Sequence, residues 1–244
     1  MIEQRIDVAT PDGRMPSFIV HPEGERDEQW PVVLVLMDGL GFREALCDVA
    51  RQVASTGYYA MLPDLYYRSG PTAPIQRDQP GEWDRMMALV QGLSDSMVIR
   101  DAQALLEHAA ADAAAAPGAA GVMGFCMGGR HSVVVAQGLG KQIGAAASIH
   151  PGNLVSDGED SPHQHLDHVA AELYLAIADQ DQWCTPDQVS RMEQALAAQG
   201  VAHQVEWHRG ALHGFGVPGG ETYHEKAAEL VRERVTALFA RALG

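Results

Sequence analysis

Short apolar runs and amphipathic helical stretches alternate along the chain, and this alternation restricts the fold more than any other feature. Pro31–Met37, Gly121–Phe125, Ile143–Ile149 and Glu172–Ala178 are brief and mostly apolar, as expected of strands buried on both faces. Between the first two, Arg43–Ser55 puts Leu46, Val49, Ala50 and Val53 on one helical face, and Asp84–His108 reads as helix with a break near Gly92. A helix follows from about Met127, and another starts at Thr185-Pro-Asp-Gln188, a capping box with proline at the first helical position. A closing helix over Glu221–Ala242 carries Leu230, Val231, Val235, Leu238 and Phe239 on one face. Ile2–Val8 and Met15–His21, split by the turn signal Thr10-Pro-Asp-Gly13, form an opening hairpin. With Gly57–Leu62 and Val201–His208 the count reaches about eight strands. The implied fold is α/β: a mostly parallel sheet with helices on both faces.

No repeat and no long linker divides the 244 residues, so 1–244 reads as one domain. Residues 69–83, rich in Pro, Gly and Gln, read as a surface excursion. The net charge of −15, without any Lys/Arg-rich run, argues against nucleic acid or an anionic membrane as partner. No apolar stretch reaches the ~18–20 residues of a membrane span. Met1-Ile-Glu-Gln-Arg-Ile-Asp7 lacks the basic and apolar regions of a signal peptide. The cysteines Cys47, Cys126 and Cys184 are odd in number and far apart, which fits reduced thiols and a cytoplasmic protein.

In parallel sheets, ligands bind beyond the carboxyl ends of the strands. There, Gly124-Phe-Cys-Met-Gly128 follows an apolar strand and opens a helix. This is the nucleophile-elbow pattern, with cysteine where serine is usual. The strained turn demands small residues two before and two after the nucleophile, which Gly124, Gly128 and Gly129 supply. Cys126 would also sit at a helix N-terminus, where the dipole favours thiolate.

An acid after a later strand and a histidine near the C-terminus complete this arrangement. Asp179 and Asp181 both fall in the short loop between the strand ending at Ala178 and the helix capped by Thr185. Asp181, nearer its apex, is the preferred candidate and Asp179 the runner-up, while Asp187 belongs to the helix cap. His213, between small residues after the last strand, is the candidate base. His208 lies in or at the end of that strand, and His108, His131 and His224 lie on helical patterns.

These residues resemble the dienelactone hydrolase family, a cysteine-using branch of the α/β-hydrolases. The resemblance rests on Met37-Asp-Gly-Leu-Gly41, Gly57-Tyr58, Pro63-Asp-Leu-Tyr-Tyr-Arg68, Gly124-Phe-Cys-Met-Gly-Gly129, the Asp181 loop and His213-Gly-Phe215, and it covers nearly the whole chain. It implies an α/β-hydrolase fold and a triad of Cys126, Asp181 and His213. It also implies an oxyanion hole from the N–H groups of Met127 and Gly39. Asp38 stands where the family usually carries a glutamate close to the cysteine, and it is counted with the substrate-binding residues. Val217 stands where dienelactone enzymes place a substrate-binding arginine; Arg43, Arg68 and Arg130 are candidate replacements.

The expected activity is hydrolysis of a small lactone or activated ester through an acyl-thioester, needing no cofactor or metal. Rival readings are a non-catalytic binding protein of the same fold and a thiol redox sensor. The trio His163, His165 and His168 lacks the spacing of a standard zinc site, and Cys126 and Cys184 form no Cys-x-x-Cys pair.

Overall fold

The computed structural model describes residues 1–25, 28–70 and 73–244. Pro71 and Thr72, part of the expected excursion, lie outside the described residues. The strands are β1 (Ile2–Thr10), β2 (Gly13–His21), β3 (Val32–Leu36), β4 (Tyr59–Pro63), β5 (Ala120–Phe125), β6 (Ile143–Ile149), β7 (Glu172–Gln180) and β8 (His203–Leu212). They form one eight-stranded sheet in the order β1-β2-β4-β3-β5-β6-β7-β8. β2 pairs antiparallel with β1 and β4, and every other neighbouring pair is parallel. All residues of β3, β4 and β5 are buried. Their unbroken apolar runs reflect this, because a strand covered on both faces has no solvent side to be polar.

Among the described residues six helices flank the sheet: α1 (Glu44–Ala54), α2 (Glu82–Gln91), α3 (Asp95–Ala110), α4 (Met127–Leu139), α5 (Pro186–Ala198) and α6 (Glu225–Ala242). Side chains on β5 alternate between two helical layers. A Cβ on Gly121 would meet Phe239 and Leu243 at 3.0 Å, whereas one on Gly124 would strike the backbone of Gly128 in α4. The expected break near Gly92 separates α2 from α3; Gly92 caps the first, and the Ser94 Oγ accepts from Met97 N at 3.3 Å to open the second. Thr185 caps α5 as expected, its hydroxyl accepting from Gln188 N. Among the described residues no helix is long and apolar enough to cross a membrane.

Two boundaries differ from the sequence reading where the site lies. β7 runs to Gln180, so Asp179 is inside a strand rather than in a loop. β8 runs to Leu212, so His213 follows it directly. The β7–β8 pairing resumes at Gln180 and Leu212 beyond an irregularity, which carries both strands past the rest of the sheet.

Candidate active site

Cys126 sits between β5 and α4 with φ 53° and ψ −115°, a strained conformation for a residue with a Cβ. The glycines around it are required by backbone contact. A Cβ on Gly124 would lie 2.1 Å from the Gly128 carbonyl oxygen, and one on Gly128 would lie 2.5 Å from that of Met37 and 2.6 Å from that of Leu36. Close packing of α4 on the end of β3 therefore holds the turn in place. The Cys126 N–H donates to Ile149 O at 3.1 Å, and the Cys126 carbonyl accepts from Gly152 N at 3.0 Å. The loop after β6 thus locks the elbow from the other side.

His213 reaches this point from the end of β8. Its Nδ1 pairs with Asp181 Oδ2 at 2.7 Å, the Asp181 carboxylate being fully buried and the imidazole one-fifth exposed. Asp181 Oδ1 accepts from Trp183 N at 2.8 Å, so both carboxylate oxygens are occupied. The Cys126 thiol neighbours the same imidazole. A Cβ built on Gly152 would lie 3.5 Å from the Cys126 Sγ and 3.9 Å from His213 Cε1, which puts the two side chains around one small space. Burial disfavours the His213 cation, but the hydrogen bond to Asp181 and the neighbouring Cys126 outweigh it and push its pKa up to about 10. Asp179 is exposed and accepts from Gly210 N at 2.9 Å, binding β7 to the irregular stretch of β8 instead.

The remaining thiols lie apart from this chemistry. Cys47 and Cys184 are buried, and burial with Asp181 nearby pushes the Cys184 thiol up to about 12. The histidine trio is dispersed: His163 bonds Ser161 Oγ at 2.8 Å, His165 bonds the Glu159 carbonyl, and His168 lies beside Asp167.

The segment after β3 lies against the elbow. Met127 opens α4, so its N–H has no intrahelical acceptor, and the Gly39 N–H has no acceptor among the described residues. Tyr66 spans these two groups, its hydroxyl donating to Gly39 O at 3.1 Å and lying 3.6 Å from the Met127 sulfur. Asp38 is buried and forms a two-pronged ion pair with Arg43 at 2.6 and 2.7 Å. Arg68 is paired with Asp101, and Arg130 with Asp95. All three candidate cations therefore already hold a carboxylate. Val217 is a packed core residue.

Sequence reasoning missed several neighbours. His150 follows β6 with φ 35°, is completely buried, and packs edge-on against His213 with ring centres 5.2 Å apart. Neither of its ring nitrogens has a partner among the described residues, and burial, His213 and Arg43 keep the imidazole neutral. Its position directly after a central strand was the available signal. Trp183 lies 6.5 Å from His213 and 6.1 Å from Trp83 of α2. A Cβ on Gly39 would meet Met86 and Val90 of the same helix at 3.3 and 3.5 Å. The apolar side of α2 thus lies over the segment carrying Gly39, a relation that no periodicity could reveal.

Comparison with known proteins agrees with this architecture. The family model described as "Dienelactone hydrolase family" matches residues 15–243. The chain belongs to the dienelactone hydrolase family. An Escherichia coli protein named "Putative carboxymethylenebutenolidase" is 30% identical over 227 residues, 88% of this chain and 78% of that one. A Salmonella typhi protein of the same name is 29% identical over 238 residues, 93% and 83% of the two chains. The crystal structure titled "Putative Dienelactone Hydrolase" from Klebsiella pneumoniae superposes with a TM-score of 0.87 over 98% of both chains, at 26% identity. A dienelactone hydrolase-like promiscuous phosphotriesterase from metagenomic libraries shares the fold, with a TM-score of 0.83 at 19% identity and coverage of 100% and 99%. The fold is the α/β-hydrolase fold, and the protein is a hydrolase of the carboxylic ester class.

Proposed function

We propose that this dienelactone hydrolase family member cleaves small lactones or activated esters by cysteine-based acyl transfer. The observation that carries the proposal is His213, bonded through Nδ1 to the buried Asp181 carboxylate and sharing one small space with the Cys126 sulfur. Asp181 fixes the imidazole tautomer, leaving Nε2 to exchange a proton with the thiol. The thiolate attacks the carbonyl carbon, and the oxyanion is held by the N–H groups of Met127 and Gly39. Collapse expels the alkoxide or enolate, which takes the proton from His213, and leaves an acyl-thioester. A water deprotonated by His213 then hydrolyses that thioester and restores the thiol. Thiolates suit good leaving groups, which favours enol-lactones and activated esters over amides. The names of the carboxymethylenebutenolidase relatives point to lactones as well.

The substrate class differs from a carboxylated dienelactone in one respect. Val217 supplies no cation, and the arginines 43, 68 and 130 are engaged by Asp38, Asp101 and Asp95. Neutral lactones and esters fit such surroundings better than anionic ones. Turnover of p-nitrophenyl acetate, with iodoacetamide inactivation tracking modification of Cys126, tests the proposal. A binding protein would show neither, and a thiol sensor would be alkylated without turnover.

A further inference from the structure

We propose that the Asp38–Arg43 pair is the clamp that presets the oxyanion loop, keeping the Gly39 N–H unpaired until an oxyanion forms; this rests on the attack by Cys126 proposed above. The hydrogen bonds of residues 38–41 carry the argument. The Asp38 carbonyl accepts from Gly41 N at 3.1 Å, and the Leu40 carbonyl accepts from Ile75 N at 3.0 Å. The Gly39 carbonyl accepts from the Tyr66 hydroxyl at 3.1 Å, and the Gly41 carbonyl accepts from Arg43 Nη1 at 3.1 Å. Leu40 N donates to Asp38 Oδ1 at 3.0 Å. Every carbonyl from Asp38 to Gly41 is therefore taken, as are the amides of Leu40 and Gly41. The amides of Asp38 and Gly39 are left without an acceptor among the described residues, and Gly39 is the one beside Met127 and Tyr66.

The side chains of Asp38 and Arg43 make two of those contacts. Asp38 Oδ1 closes a turn onto the amide two residues on, which the short aspartate side chain is suited to do. The guanidinium then grips both Asp38 oxygens and reaches the Gly41 carbonyl with the same Nη1. With side-chain exposures of 18% for Arg43 and 10% for Asp38, the pair is largely shielded from water. A carboxylate bound by three donors is committed to the loop and is poorly placed to bond the thiol. The clamp acts through Gly39: a donor already oriented need not reorganise as charge develops on the carbonyl oxygen. Asp38 and Arg43 are thus positioning residues.

The test compares two reactions of the full-length protein. Hydrolysis of p-nitrophenyl acetate passes through an oxyanion, whereas alkylation of Cys126 by iodoacetamide does not. Arg43→Lys keeps the charge but loses the planar fork, and Asp38→Asn/Arg43→Met removes both charges together and leaves the local net charge unchanged. Both variants should retain cooperative melting. Each should lose about tenfold or more in kcat with KM changed less than about threefold, because the lost interaction is made mainly in the transition state. Alkylation should stay within about twofold of wild type from about pH 5 to about pH 9. Asp38→Asn alone keeps an acceptor for Leu40 N and should lie between wild type and the double variant. The inference is overturned if both variants hold kcat within about threefold of wild type, or if alkylation falls in step with kcat, which would put the pair's effect on the sulfur. Turnover surviving in Cys126→Ala would overturn the proposed function itself, and this inference with it.

Discussion

The elbow and the helix α2 face the same small space but are built on opposite terms. Around Cys126 the constraints are backbone on backbone. α4 approaches β3 and β5 so closely that two glycines admit no Cβ, and the end of β6 and the loop after it bond the cysteine's N–H and carbonyl. None of the residues of α2, by contrast, is buried, and it meets the site through the side chains of Trp83, Met86 and Val90. Rigid packing serves the chemistry, which tolerates little displacement. Side-chain contact serves selection, which changes with each residue that lines the wall.

The sharpest way to break that comparison is to change one residue on each side to alanine. Gly128→Ala drives a Cβ into two backbone carbonyls and should destabilise the protein by about 3 kcal/mol or more. Met86→Ala should cost less, about 1 kcal/mol, as its side chain is only partly buried and its removal forces no backbone apart. Chemical denaturation of both variants measures this, and comparable losses would erase the distinction.

Asp181 and Asp179 repeat the contrast at the end of β7, one buried against His213 and the other exposed against Gly210. Asp181→Asn should lower kcat/KM by about a hundredfold or more, since the amide favours the wrong histidine tautomer. Asp179→Asn should cost less than about tenfold. Kinetics on p-nitrophenyl acetate rank the two directly, and the reverse order would move the acid to Asp179.

Selection should show in substrate charge. A carboxylate left unpaired near Val217 would cost on the order of 1–3 kcal/mol, so the methyl ester of a dienelactone should equal or exceed the free acid in kcat/KM. A clear preference for the free acid, abolished by replacing Arg43, Arg68 or Arg130, would show that one of these arginines leaves its partner to bind substrate.

The smallest effect concerns pH and stability. The pKa of His213 is raised to about 10 in the folded protein, above the ordinary histidine value of about 6.5. Proton binding at this site therefore favours folding. The contribution is complete below about pH 6.5 and is lost as pH rises through about 10. The gap in melting temperature between wild type and His213→Gln should be wider at about pH 6 than at about pH 10. A gap independent of pH would contradict the raised value.

The comparison also explains what could be read in the sequence. Strand order aside, the α/β architecture was legible because buried parallel strands must be apolar throughout, as β3, β4 and β5 are. The elbow was legible because backbone contact is written as glycine. Asp181 and His213 could be named from their places after strands, although β7 and β8 extend further than their apolar runs, through a register irregularity. The commitment of Asp38 to Arg43 was not legible, since five residues of loop can bring two charges together or hold them apart. His150 was passed over because a histidine ending an apolar run looks like the start of a loop; its burial comes from Phe125 and Phe215, brought to it from other elements.

The central claim, that Cys126 carries the acyl group, is tested most directly by trapping it. Protein quenched in acid during turnover of p-nitrophenyl acetate, then digested and weighed by mass spectrometry, should carry one acetyl group on the peptide containing Cys126. Neither Cys47 nor Cys184 should be labelled, and Cys126→Ala should show neither adduct nor turnover. An unlabelled Cys126 peptide together with a Cys126→Ala variant that keeps more than a few per cent of activity would contradict the account.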